Sequence, residues 1–176
     1  RNGSKFGVIS DDISLDHSKV RQRKDKIIRT LVSGIKSHLK KSNVEIKNGT
    51  GVIKDKSDDY FQVEITGKEN TEICYSENLL ISTGSNSIIP SIPGIKEGLE
   101  NNFLLTNSEI FDLEEIPDSL IIIGGGYIGI EMGSYFNSAG SEVTIIEMLD
   151  HIAGDIDRDI SKILLKKYKN KGINFL

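Results

Sequence analysis

The chain predicts an α/β fold in which a doubly wound parallel sheet stands beside a β-meander, and three observations carry that reading. After Asp118, aliphatic runs alternate with helical periodicity, the order of crossover units on a parallel sheet. Between Asn43 and Thr83, short β-prone runs are separated by turn residues, the mark of adjacent strands joined by hairpins. A long stretch of three-and-four apolar spacing precedes them.

In chain order, Val20, Ile27, Ile28, Leu31, Val32, Ile35 and Leu39 draw one apolar stripe along a helix over 18–41. Lys19, Arg21, Arg23, Lys24, Lys26, Arg29, Lys36, Lys40 and Lys41 crowd its other face and read as a solvated surface. Strands are expected over 44–47, 51–54, 60–66, 71–75 and 78–82, divided by Asn-Gly, Lys-Asp-Lys-Ser-Asp-Asp and Gly-Lys-Glu-Asn turns. Pro90, Pro93 and Gly94 then break regular structure, and 94–117 reads as a crossing segment with one short helical turn. Strands over 119–123, 142–147 and 173–176 enclose helices over 127–139 and 157–171. Ile160, Ile163, Leu164 and Tyr168 form the second helix's buried stripe, Asp155 or Asp157 its cap, and Gly172 its end. The expected division is therefore 1–93, 94–117 and 118–176.

Composition narrows the function classes. With 37% hydrophobic and 27% charged residues in 176, the chain is of ordinary globular type. The net charge of −4 offers nucleic acid or anionic lipid no global attraction, so neither is an expected partner. No apolar run approaches the roughly 20 residues needed to span a bilayer. The single cysteine, Cys74, cannot close an intramolecular disulfide or supply a CxxC site, which fits a reducing, cytoplasmic setting. His17, His38 and His151 lack partners at metal-ligand spacing, and no metal is expected. Arg1 in place of Met, and a final strand that stops at once, are the marks expected of a fragment with both domains incomplete.

The chemistry lies in Leu120-Ile121-Ile122-Ile123 followed by Gly124-Gly125-Gly126-Tyr127-Ile128-Gly129, an aliphatic strand feeding GxGxxG and then a helix. Gly124 permits the tight turn, Gly126 lets a pyrophosphate approach the backbone, and Gly129 allows close helix–strand packing. The phosphates would meet the unpaired N–H groups and positive dipole end of the helix. Glu147 follows Gly129 by 18 residues, near the spacing of about 20 at which an acid receives the adenosine ribose. A carboxylate there accepts from both ribose hydroxyls and repels a 2′-phosphate, so NAD is expected over NADP. Glu131 extends the motif, although its place early in the helix is also explained by the dipole.

Beyond spacing, Gly124 through Gly133 and Glu142-Val143-Thr144-Ile145-Ile146-Glu147-Met148-Leu149 resemble the NAD-binding segment of the flavin-dependent pyridine nucleotide-disulfide oxidoreductases, most closely their dihydrolipoamide dehydrogenase branch. Asn78-Leu79-Leu80-Ile81-Ser82-Thr83-Gly84-Ser85, then Pro90 and Pro93-Gly94-Ile95, is similar to the end of that family's FAD domain. Asn48-Gly49-Thr50-Gly51 resembles its central region. The resemblance implies a Rossmann-like FAD/NAD(P)-binding fold covering nearly the whole chain, with FAD and NAD as cofactors. It implies that Gly51, Thr83, Gly84 and Ser85 approach FAD. Gly124, Gly125, Gly126, Tyr127, Ile128, Gly129 and Glu131 would wrap the NAD pyrophosphate, Glu131 towards the nicotinamide, while Glu147 holds the ribose. Tyr127 either shields the nicotinamide pocket or packs on its helix.

The implied reaction passes electrons from a protein-bound dihydrolipoyl dithiol through a disulfide and FAD to NAD+. The implied partners are the dihydrolipoyl domain of a 2-oxoacid dehydrogenase or glycine cleavage complex and a second copy in a homodimer. The family's CxxxxC pair and His–Glu pair are absent from these 176 residues, so no catalytic residue is assigned. Another flavoprotein disulfide reductase, an NADH oxidase and a non-catalytic NADH sensor remain open.

Overall fold

The computed structural model describes residues 14–56 and 59–176. The predicted turn over 54–59 therefore lies partly outside the described residues. The chain divides into two units, Asp25–Ile88 and a second made of Arg1–Lys24 with Ile89–Leu176. Helix α1 (His17–Lys41) begins in the second unit and runs into the first.

In the Asp25–Ile88 unit, β1 (Thr50–Lys56), β2 (Phe61–Thr66) and β3 (Thr71–Ser76) form an antiparallel meander in sequential order. The β2–β3 turn closes through the Gly67 N–H donating to the Asn70 carbonyl at 2.8 Å. Beside it, Gly49 lies so close to the backbone that a Cβ would stand 2.5 Å from the Thr66 carbonyl oxygen. The cross-strand charge pair of Lys54 with Glu64 adds a small increment to the ladder, and Lys47, in the segment before β1, pairs with Glu72 of β3.

Two expected strands do not form: 44–47 and 78–82 are irregular. A β-prone run becomes a strand only by pairing with a neighbouring backbone, and the described ladder of this unit consists of β1, β2 and β3. The apolar stripe of α1 is likewise exposed at Ile27, Ile28, Leu31, Val32 and Ile35. Periodicity identified the helix, but nothing among the described residues buries that stripe.

The other unit holds α2 (Ile95–Glu100), a 3-10 turn (Glu109–Asp112), β4 (Ser119–Ile123), α3 (Tyr127–Ala139), β5 (Glu142–Ile146), α4 (Arg158–Asn170) and β6 (Asn174–Phe175). The crossing segment thus contains two short helical elements where one turn was expected. Strands β4, β5 and β6 pair in parallel and in chain order, with Ile122 opposite Ile145 and Thr144 opposite Asn174. Their successive helical crossovers give the α/β, Rossmann-like arrangement.

The core is a layer between this sheet and its helices, formed by Ile130, Phe136, Val143, Ile145, Ile152, Ala153 and Ile173. Gly133 brings α3 close to the sheet: a Cβ there would lie 3.0 Å from Ile145 Cδ1 and 3.4 Å from Ile122 Cδ1. The opposite face presents Ile121, Ile123 and Ile146 uncovered among the described residues. In α4 the expected stripe is displaced. Ile160 and Ile163 are exposed, whereas Ser161 is buried and Leu164, Leu165 and Tyr168 pack against the core. Asp157 is the N-cap, accepting from the Asp159 and Ile160 N–H groups at 2.9 and 3.2 Å. Gly172, at φ 96°, supplies the left-handed residue beyond the helix.

The start of α1 is tied to this unit through His17. Its Nε2 lies 3.1 Å from the Leu113 carbonyl and its Nδ1 3.0 Å from the Tyr135 hydroxyl. A carbonyl can only accept, so in the neutral ring Nε2 carries the proton and Nδ1 accepts from Tyr135. Lys24 adds a bond to the Phe111 carbonyl at 3.0 Å and an ion pair with Asp112 at 2.7 Å. No helix among the described residues is long and apolar enough to cross a membrane.

Candidate nucleotide site

Strand β4 ends at Ile123 and the chain turns through Gly124, whose φ of 107° is a left-handed conformation that only glycine adopts cheaply. The Gly124 N–H remains on the sheet, donating to the Ile146 carbonyl at 2.8 Å. Gly126 is the N-cap of α3, and no side chain caps that end. The N–H groups of Tyr127, Ile128 and Gly129 in the first turn therefore have no intrahelical acceptor and present the positive end of the helix dipole. An added Cβ at Gly126 would meet no heavy atom within 4 Å. That opening lies against bare backbone, the geometry suited to a phosphate group.

Gly129 has a different task from the one spacing suggests. A Cβ there would stand 2.0 Å from the Gly124 carbonyl oxygen and 3.4 Å from Ile122 Cγ2. Closure of the turn onto the helix thus requires this glycine first, and contact with the strand second. The main helix–sheet approach is made one turn later, at Gly133.

Glu147 stands one residue beyond β5, half-buried, with both carboxylate oxygens already engaged. Oε2 accepts from the Gly125 N–H at 2.7 Å and Oε1 from the Leu149 N–H at 2.9 Å. Each oxygen retains acceptor capacity, so the carboxylate is oriented without being exhausted. Tyr127, Ile128 and Glu131 are exposed on α3, and the Tyr127 ring edge comes within 3.9 Å of where a Gly154 Cβ would sit. The structure therefore gathers the glycine turn, the first turn of α3 and Glu147 around one loop.

Gly51 and residues 83–85 belong to the other unit. Gly51 is in β1 opposite Ile65, and a Cβ there would make only an ordinary 3.7 Å contact with Val63, so packing does not demand glycine. Thr83 and Ser85 are exposed in the irregular segment before Pro90, and Gly84 takes a φ of 74° with open space around it. Both positions leave backbone accessible, which is compatible with close approach of a cofactor.

The middle glycine also has a packing role that the motif does not specify. Gly125 is buried, and a Cβ there would come within 3.2 Å of Glu147 Cβ, Glu147 Oε2 and Ile152 Cγ2. Its carbonyl accepts from the Ala153 N–H at 2.7 Å. The loop after β5 thus packs directly on the glycine turn, and Ile152 and Ala153 join the site's supporting shell. One signal was available: GxGxxG leaves its second position free, yet this chain spends a third glycine there. Farther along, Asp150 Oδ1 pairs with Arg158 at 2.7 Å and with His151 Nδ1 at 2.9 Å, which holds its carboxyl below the usual range, Arg158 contributing most.

The sequence pattern of the pyridine nucleotide-disulphide oxidoreductase family matches residues 5–176. The dihydrolipoyl dehydrogenase of Acholeplasma laidlawii is 40% identical over 172 residues, covering 97% of this chain and 49% of that protein. The dihydrolipoyl dehydrogenase of Bacillus subtilis is 34% identical over 181 residues, covering 100% and 37%. Among solved structures, the HOCl-induced flavoprotein disulfide reductase RclA from Escherichia coli, in its Cu(II) complex, superposes with a TM-score of 0.75 at 26% identity, covering 92% of this chain and 35% of that one. LpdA from Mycobacterium tuberculosis gives a TM-score of 0.80 at 19% identity, covering 99% and 37%, a likeness of fold. The chain spans half or less of the length of these relatives. With the family pattern matched over nearly all its residues, the chain belongs to the pyridine nucleotide-disulphide oxidoreductase family.

Proposed function

We propose that this chain supplies the NAD-binding turn and part of the FAD-binding surface of a dihydrolipoyl dehydrogenase, which oxidises a protein-bound dihydrolipoyl dithiol at the expense of NAD+. The single observation that carries the reading is the convergence of an uncapped helix N-terminus, open space at Gly126 and an oriented Glu147 carboxylate. The identity to dihydrolipoyl dehydrogenases over nearly the whole chain supports the choice of substrate. FAD and NAD, when bound, supply the two-electron chemistry.

The residues here bind and orient. N–H groups of residues 126–129 receive the pyrophosphate, Glu147 the adenosine ribose, and Glu131 lies towards the nicotinamide. Gly51, Thr83, Gly84 and Ser85 offer backbone and hydroxyl groups to FAD. In this reading 1–93 belongs to the FAD domain, 94–117 crosses over, and 118–176 belongs to the NAD domain. The partners are a dihydrolipoyl domain of a 2-oxoacid dehydrogenase or glycine cleavage complex and a second copy of the full-length protein. A second reading, a flavoprotein reductase acting on another disulfide, is favoured by the likeness to RclA.

Steady-state assay of the full-length protein tests both. NAD-linked oxidation of dihydrolipoamide supports the first reading, and reduction of other disulfides without it supports the second. The NAD site is tested by Glu147→Arg, which should shift the ratio of NADH to NADPH affinity towards NADPH by at least tenfold, since one charge-assisted contact is lost and a cation gained (about 1.5–3 kcal/mol). An unchanged ratio would remove Glu147 from the ribose.

A further inference from the structure

We propose that Ser161, whose buried hydroxyl is turned to the Ile152 carbonyl, is a positioning residue for the phosphate-binding turn, acting through the peptide between Ile152 and Ala153. The inference rests on the NAD reading above and adds to it a relay that runs from α4 to the glycine turn.

The relay follows from peptide geometry. A trans peptide directs its C=O and N–H to opposite sides of one plane, so fixing one group aims the other. The buried Ser161 hydroxyl donates to the Ile152 carbonyl at 2.9 Å. The N–H of that same peptide, on Ala153, points the opposite way and donates to the Gly125 carbonyl at 2.7 Å. The next plane, between Gly125 and Gly126, is held by that carbonyl. Its N–H, on Gly126, is therefore aimed away from the loop. A third plane, between Gly124 and Gly125, is held from its N–H side by Glu147 Oε2 at 2.7 Å. That grip turns the Gly124 carbonyl into the first turn of α3, where Gly129 makes room for it.

The loop holds this arrangement at a conformational cost. Ala153 has a φ of 69° and Gly154 of 60°, and a left-handed backbone is unfavourable for an alanine. Ala153 and Ile152 are nonetheless buried in the core, and the hydrogen bonds on both sides of their shared peptide keep the conformation. Ser161 also occupies a position on α4 where an apolar residue would serve packing alone. Its hydroxyl is used on a carbonyl whose partner N–H reaches the cradle. Hydrogen bonds in such a chain polarise one another, so the loss of the first weakens the second.

The experiment compares Ser161→Ala with the unaltered full-length protein by NADH titration and by hydrogen exchange of the segment 124–130. The expected result is NADH binding weaker by roughly threefold to tenfold, the size of one neutral hydrogen bond. Exchange across 124–130 should be faster while 162–170 keeps its protection. A residue that served only packing would lower the unfolding temperature and leave both readouts at native temperature unchanged, which overturns the proposal. Where Ser161→Ala does not fold, Ser161→Cys, nearly the same size with a weak donor, is judged by the same criterion. Failure of the unaltered protein to bind NADH would instead refute the nucleotide site itself.

Discussion

Adding one methyl group to either of two glycines three residues apart should produce opposite results. At Gly126 the new Cβ enters open space, and the backbone, at φ −68° and ψ −177°, is one that alanine adopts freely. Reduced freedom of the unfolded chain favours alanine by about 0.4–1 kcal/mol, while alanine is a poorer N-cap than glycine by a similar amount. Gly126→Ala should therefore change stability by no more than about 0.5 kcal/mol. On the proposed reading the methyl nevertheless stands in the path of the pyrophosphate, and NADH affinity should fall by at least tenfold, about 1.4 kcal/mol. At Gly129 the Cβ would lie 2.0 Å from a backbone oxygen, whereas ordinary contact begins above 3 Å. The turn and the helix must separate by about 1 Å, and no flexible side chain can absorb the shift. Overpacking of this kind costs typically 1–3 kcal/mol, and the backbone obstacle puts Gly129→Ala at the upper end. Chemical denaturation and NADH titration of the full-length variants check both. If Gly126→Ala binds NADH normally, or if Gly129→Ala is as stable as the parent, the division of labour within the turn is refuted.

Asp157→Ala removes the side chain that accepts from the Asp159 and Ile160 N–H groups and should destabilise the protein by about 1 kcal/mol, read from the denaturation midpoint; Asp157→Ser should recover most of it. Asp150 is held below the usual carboxylate range first by Arg158 and then by His151. A depressed carboxyl contributes stability that is present above its unfolded pKa and lost as the pH falls through its folded one. Arg158→Gln should raise the Asp150 titration midpoint towards the ordinary value, so that the stability this carboxyl contributes above its unfolded pKa, and with it the acid-side loss, becomes smaller. Carboxyl carbon chemical shifts followed against pH check this, and an unmoved midpoint contradicts the pairing.

The legible parts of the fold were those whose cause is local. Strand β4 and helix α3 have the bounds their pattern predicts, because an aliphatic run followed by a glycine turn decides both the element and its end. The β2–β3 hairpin was legible for the same reason, its Gly67 to Asn70 turn being closed by its own residues. The runs at 44–47 and 78–82 were also expected as strands and form none, since a ladder needs a partner that propensity cannot name. Periodicity in α1 located the helix, but burial depends on what packs against it. In α4 the apolar positions Ile160 and Ile163 were assigned inward, yet the face that packs on the core is rotated to Ser161, Leu164, Leu165 and Tyr168. At the start of that face lie Asp157 as N-cap and the Ser161 bond to the preceding loop, two polar contacts that an apolar count does not register.

The same distinction separates the two halves of the nucleotide turn. What Gly124, Gly126 and Glu147 present to a ligand follows from their place in the motif. What keeps them in position comes from 152, 153 and 161, residues with no place in any motif, whose contribution is made by backbone N–H and C=O groups and one hydroxyl. Backbone groups are common to all residues, so a sequence cannot mark the ones that matter except where a side chain must be absent. Gly125 is such a mark. Its missing Cβ lets the Glu147 carboxylate and Ile152 close on the turn, so the turn and its supporting loop are packed directly together. On the proposed reading, a substitution in that loop made to alter ribose recognition would also act on phosphate binding, and exchanging cofactor preference at Glu147 alone would give up part of the affinity of the glycine turn, because Glu147 Oε2 holds the Gly125 N–H.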